Sequence, residues 1–211
     1  MTTQDVERRL LCREVRVENS SDGKPTIRGY AAVFNQLSED LGGFREQLST
    51  GAFSDALGAS DVRALINHDP NLVLGRNKAG TLSMREDAAG LYVEITPPDT
   101  QAARDLLTSM QRGDVNQMSF AFTVAKEDQA WTRDGTGPWL RTIKRVSRLY
   151  DVSVVTYPAY QQTSASAQRA LADLRAQDDS ARQALEDAEA RQQAEADARA
   201  RELDLMHATR P

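Results

Sequence analysis

The sequence predicts an α+β protein: a mainly antiparallel, β-barrel-like core with a few surrounding helices, followed by a C-terminal tail that is helical or disordered. Three observations carry this reading. Short stretches of alternating apolar and polar residues recur between turn-forming clusters from Val15 to Thr156, a pattern of strands joined by hairpins rather than of a doubly wound parallel sheet. Only a few segments in that span carry helix start and stop signals. From Gln161 onward the chain is almost wholly Ala, Arg, Glu, Gln and Asp, and every aromatic residue lies before it. The organisation expected is a flexible N-terminus over 1–14, a folded domain over 15–160 and a tail over 161–211.

Taken in order, residues 1–12 are polar and read as loosely ordered. Val15 and Val17 mark a first strand, and Asn19-Ser20-Ser21-Asp22-Gly23 is turn chemistry. Thr26 to Phe34 is a strand in which Gly29 marks a bulge or a close backbone approach. Phe44 to Leu48 is a short strand. Thr50 is placed to cap a helix reaching Leu57, with Gly58 as its stop. Val62 to Ile66 leads into Asn67-His68-Asp69-Pro70, where the proline is expected to end regular structure. Strands at 73–75, 81–84 and 91–95 follow, the last two flanking a turn at 86–90. Asp99 or Thr100 caps a helix through Met110 that stops at Gly113.

The next stretch, Gln117-Met118-Ser119-Phe120-Ala121-Phe122, alternates cleanly. Met118, Phe120, Phe122 and Val124 make the buried face, and Ser119 and Ala121 make the other, which nothing bulky crowds. Trp131 to Pro138 reads as a loop, and 139–146 and 149–156 read as two further strands. In the tail, Ala and long polar residues favour helix, but Leu171, Leu174, Leu185, Leu203 and Leu205 are too sparse for a sustained heptad. The tail is therefore either a solvated helix or a docking segment that orders on a partner.

Composition removes several function classes. The net charge of −5 leaves no basic footprint for nucleic acid. The one cysteine, Cys12, excludes an internal disulfide and a cysteine metal cluster, fits a reducing compartment, and sits among charged residues as an adventitious thiol. With no signal peptide and no run of eighteen apolar residues, a soluble cytoplasmic product without membrane partners is expected. Metal ligands do not cluster, no glycine pattern forms a phosphate cradle, and no cofactor is expected.

Nucleophilic catalysis remains. A serine hydroxyl attacks poorly unless a base takes its proton, and the base works best when a third group fixes its tautomer. Of the two histidines, His207 lies in the polar tail and reads as inert, whereas His68 ends an apolar strand where a side chain can face a cleft. A lone histidine is, taken alone, more often structural. Ser119 supplies the hydroxyl. Asp151 stands within an otherwise apolar strand, Leu149 to Val155, where an unpaired carboxylate is costly. Its bland reading is an ion pair with Arg145 or Arg148. Ser153, on the same strand face as Asp151, is a rival nucleophile.

These residues also carry a family resemblance. Ile27-Arg28-Gly29-Tyr30-Ala31-Ala32-Val33-Phe34, Gly51-Ala52-Phe53, Asn67-His68-Asp69 with Leu74-Gly75-Arg76, Met118-Ser119-Phe120-Ala121-Phe122, and Asp151-Val152-Ser153-Val154-Val155-Thr156-Tyr157-Pro158-Ala159 occur in this order. Together they resemble the signature blocks of the prohead maturation proteases of tailed bacteriophages, over roughly residues 15–165. That family is regarded as related in fold to the herpesvirus assemblins, serine proteases built on a β-barrel with surrounding helices.

The resemblance implies His68 as general base and Ser119 as nucleophile. Assemblins use a second histidine as third member and phage members an acidic residue, so Asp151 takes that place. By analogy with the assemblins, backbone N–H groups near Ala159 and Tyr160 are expected to hold the oxyanion. The implied work is cleavage of the phage major capsid protein or its scaffold domain, and of the protease itself, inside the prohead in the host cytoplasm. Self-association as a homo-oligomer accompanies that reading, and the tail becomes a scaffold-docking or removable segment. The rival is a non-enzymatic capsid assembly or scaffold-binding module. An esterase is disfavoured because no Gly-x-Ser-x-Gly elbow is present.

Overall fold

A computed structural model describes residues 5–10, 15–19, 23–157 and 165–208, the last as a helix whose side chains are described over 167–194. The chain divides into one unit ending at Ser166 and a second beginning at Ala167. The first unit holds three sheets. One orders β1 (Glu7–Arg9), β9 (Gln117–Thr123), β12 (Arg148–Val155), β5 (Arg63–Ile66) and β6 (Asp69–Arg76). A second orders β10 (Gln129–Thr132), β11 (Trp139–Ile143) and β4 (Phe44–Leu48). The third orders β2 (Arg16–Asn19), β3 (Pro25–Val33), β8 (Gly90–Ile95) and β7 (Leu82–Glu86). Two helices, α1 (Ser54–Ala59) and α2 (Gln101–Gln111), complete it.

The α+β class and the dominance of antiparallel pairing hold, with two parallel exceptions, β12 on β5 and β11 on β4. The barrel does not. None of the three sheets closes on itself, because short strands are shared among separate sheets rather than staggered around one. The apolar residues instead fill the space between them. Phe120 stacks on Phe122 at 4.9 Å between ring centroids and meets Phe53 edge-on at 5.5 Å, and Phe53 in turn faces Phe34. Burying such aromatic side chains is worth roughly 1.5–3 kcal/mol each.

Several local expectations meet their physical reasons. Thr100 caps α2 by accepting the Ala103 N–H, and Gly113, with φ 83°, follows it in the left-handed conformation that glycine adopts most easily. Gly29 is a close approach: a Cβ there would lie 2.4 Å from Val15 Cγ1, and the β3–β8 register shifts just beyond it, between Tyr30 and Ala32.

Other expectations are corrected. Thr50 does not cap α1, which starts four residues later with Gly58 inside it. The Phe53 N–H and Ser54 hydroxyl at that helix start bond the carboxylate of Glu86 from β7, a partner remote in sequence. Trp131 belongs to β10 rather than to a loop. The N-terminal stretch expected to be loose contains β1, whose Glu7 and Arg9 are buried. Arg9 bonds Glu46 and Glu7, and Arg141 bonds the same two carboxylates, so charges that looked like terminus chemistry are paired inside the domain. Burial opposes the Arg141 charge, but Glu7 and Glu46 outweigh it and raise its pKa above the ordinary guanidinium value.

The second unit holds α3 (Ala165–Ala208) from Ala167 onward, exposed throughout 175–194. Over 165–208 the tail is helical. Cys12, the linker at 161–164, and the side chain of His207 lie outside the described residues.

Candidate active site

The site is built on three neighbouring strands of the five-stranded sheet. β9 and β12 are antiparallel, with Ser119 opposite Ser153 and Ala121 opposite Asp151. The register shifts between Leu149 and Asp151, so Tyr150 is the extra residue of a bulge. Such bulges re-aim the side chains that follow them. Beyond it, Asp151 and Ser153 share a face by the period of two, and that face carries Ser119 across the ladder.

β5 lies on the other side of β12 and turns into β6 through Asn67 and His68 alone, since Ile66 pairs with Asp69. Both turn residues have positive φ, 53° and 59°, as a two-residue type I′ hairpin requires. That turn favours Asn-Gly, and a histidine in the left-handed region costs roughly 1–2 kcal/mol. Asn67 holds the turn in place: its N–H donates to Val154 O at 2.9 Å and its side-chain oxygen accepts the Thr156 N–H at 2.9 Å. Pro70 therefore does not end regular structure. It is the second residue of β6, an edge strand, where a missing N–H is tolerated.

The turn carries the His68 ring onto the face of β9 and β12. His68 Nδ1 lies 2.6 Å from Asp151 Oδ1, and Nε2 lies 2.7 Å from Ser119 Oγ. A carboxylate only accepts, so the network assigns the ring proton to Nδ1 and leaves Nε2 to accept the Ser119 hydroxyl. The His68 and Asp151 side chains are 7% and 11% exposed, and Ser119 is fully buried. The face expected to be uncrowded is thus enclosed, with imidazole over the hydroxyl.

Asp151 is not an arginine partner. Arg145 bonds Asp128, and the Arg148 guanidinium lies over the Tyr150 ring. The structure brings together all three residues singled out from the sequence. It also adds Ser153, whose hydroxyl donates to Asp151 Oδ1 at 2.6 Å. The signal for that contact was the Asp-x-Ser spacing on a strand. Asn67, whose role depends on tertiary bonds to β12 and Thr156, had no comparable signal. Ala159 and Tyr160, the expected oxyanion donors, lie outside the described residues. Among the described residues no three His, Cys, Asp or Glu side chains gather as a metal site.

A strand hydroxyl, an imidazole and a carboxylate in relay make an arrangement fit for acyl transfer. Comparison with known proteins gives the family. The model of the Caudovirus prohead serine protease family matches residues 13–177. The chain belongs to that family. It is 35% identical over 173 residues to the prohead protease of Enterobacteria phage HK97, covering 79% of this chain and 71% of that one. Among solved structures, the bacteriophage T4 capsid assembly protease aligns at TM-score 0.46 and 11% identity, over 73% of this chain and 99% of the other. Family membership makes the chain a prohead-type protease, and the family name carries the serine class.

Proposed function

We propose that this chain is a serine endopeptidase that cuts the scaffold domain or extensions of the phage major capsid protein, and itself, inside the assembling prohead. The observation that carries the reading is the relay from Asp151 through His68 to Ser119, at 2.6 and 2.7 Å. Ser119 Oγ attacks the peptide carbonyl carbon while its proton passes to His68 Nε2. The C–N bond then breaks as His68 returns that proton to the leaving amine. Water, deprotonated by the same nitrogen, hydrolyses the acyl-enzyme and frees Ser119. Asp151 holds the Nδ1–H tautomer and stabilises the imidazolium. Membership of the family and a relative named prohead protease support that substrate class and place of action.

The test is co-expression of the full chain with the major capsid protein of its own phage, as wild type and as Ser119→Ala. The expected outcome is shortened capsid protein and shortened protease with wild type, and neither with the variant. Unchanged cleavage by Ser119→Ala removes Ser119 from the mechanism. Absence of cleavage by both forms favours a non-enzymatic assembly module.

The helix at 165–208 serves, on this reading, as the segment that carries the protease into the scaffold. Its exposure over 175–194 supports that role, because a helix exposed on every side gains by docking. A chain ending at Ser166 is expected to be depleted from proheads. Equal packaging of both forms discards the role.

A further inference from the structure

Ser153 was the rival nucleophile, and its geometry gives it different work. It is fully buried, faces Ser119 directly across the β9–β12 ladder, and donates its proton to Asp151 Oδ1 at 2.6 Å. That is the same oxygen that accepts from His68 Nδ1. Directly opposed side chains in an antiparallel ladder have Cβ atoms about 4.5–5.5 Å apart, so the two serines are neighbours. The hydroxyl bond of Ser153 nevertheless goes to Asp151. Its proton is thereby committed to a group that is already a carboxylate, and the single imidazole of the site is engaged by Ser119. A hydroxyl without a base is a poor nucleophile.

We infer that Ser153 is a positioning residue: it pins the Asp151 carboxylate with Oδ1 turned to His68, and acts on Ser119 only through that carboxylate. The physical need is specific. Asp151 follows a bulge, where the ladder is irregular, and its carboxylate can rotate about its last torsion, which has broad wells. Two hydrogen bonds to one oxygen, from a ring on one element and a hydroxyl two residues along its own strand, fix that rotation. Hydrogen bonds to a charged acceptor are also about twice as strong as neutral ones. The inference rests on the proposed roles of Ser119, His68 and Asp151.

The test reads the nucleophile directly, without a known substrate. The full chain is treated with a fluorophosphonate, whose phosphorus bonds to an activated serine oxygen as fluoride leaves, and the rate of adduct formation at Ser119 is followed by mass spectrometry. Ser153→Ala is expected to slow labelling about tenfold, the size of one hydrogen bond to a charged group. In an Asp151→Asn background the same change is expected to alter the rate less than twofold, because its route is already cut. Ser153→Thr, which keeps the hydroxyl, is expected to label faster than the isosteric Ser153→Val.

An equal loss in both backgrounds, or equal rates for Thr and Val, overturns the inference and leaves Ser153 as packing. Wild-type rates in Ser153→Ala overturn it while the relay stands. Adduct on Ser153 instead of Ser119, or none at all on wild type, overturns the inference and the relay together.

Discussion

Two polar clusters are buried beside β9, and they differ in how their charges are closed. At the end next to β1, Glu7, Glu46, Arg9 and Arg141 are each 4% exposed or less at the side chain, and two cations face two anions. At the Ser119 end the carboxylate of Asp151 is bonded by a histidine and a hydroxyl, and no arginine or lysine among the described residues bonds it. The first cluster has nothing left to stabilise. The second sets a carboxylate against an imidazole, the pairing that, on the proposed mechanism, favours the imidazolium formed when Ser119 attacks. A buried charge network is thus structural when it is balanced and poised for chemistry when it is one cation short.

The largest expected effect breaks the second cluster at its nucleophile. Ser119→Ala lowers capsid-protein cleavage roughly 10⁶-fold, the scale for loss of a triad nucleophile, and leaves thermal unfolding within about 1 kcal/mol of wild type, within the range of small substitutions. Asp151→Asn comes next. It keeps the shape but presents the wrong hydrogen-bond pattern to Nδ1, and activity falls about 10⁴-fold, read by the same cleavage assay.

The first cluster inverts this pattern. Arg141→Met takes away one of the cations that bond the buried Glu7 and Glu46, and destabilises by about 3–5 kcal/mol in urea unfolding. Whatever folded protein survives keeps its rate of Ser119 labelling.

A surface pair gives the smallest effect. Asp61 is held down to about 2 by its hydrogen bond from Arg76, against burial and with help from the nearby Arg63, Arg76 and Lys78 charges. Its folded pKa lies below its unfolded value near 4, so its contribution is present above about 4 and is lost as pH falls through about 2. Solvent screens such a pair, and the change in stability is slight. In Arg76→Ala the Asp61 carboxyl titrates nearer 4, which NMR of the side-chain carboxyl reads directly.

The clusters also differ in how far the sequence disclosed them. Ser119 was legible because a polar residue interrupts one face of a strongly alternating strand. Asp151 was legible because a carboxylate within an apolar strand demands a partner. His68 was legible as the core histidine at the end of an apolar strand, but the left-handed two-residue turn that brings it to both residues was not, because the expected break at Pro70 hid it. The fold follows the same division. α2 was legible at both ends, since Thr100 and Gly113 act locally. α1 was misplaced because Glu86, more than thirty residues away, satisfies its start. β1 was missed altogether: Glu7 and Arg9 read as a solvated terminus, and their partners Glu46 and Arg141 belong to another sheet.

The relay itself is tested most directly by mapping where a fluorophosphonate bonds to the full chain, with wild type and His68→Ala treated side by side. One adduct is expected, on Ser119 of the wild type, and almost none on the variant. An adduct on any other serine, or equal labelling of Ser119 without His68, would contradict the relay.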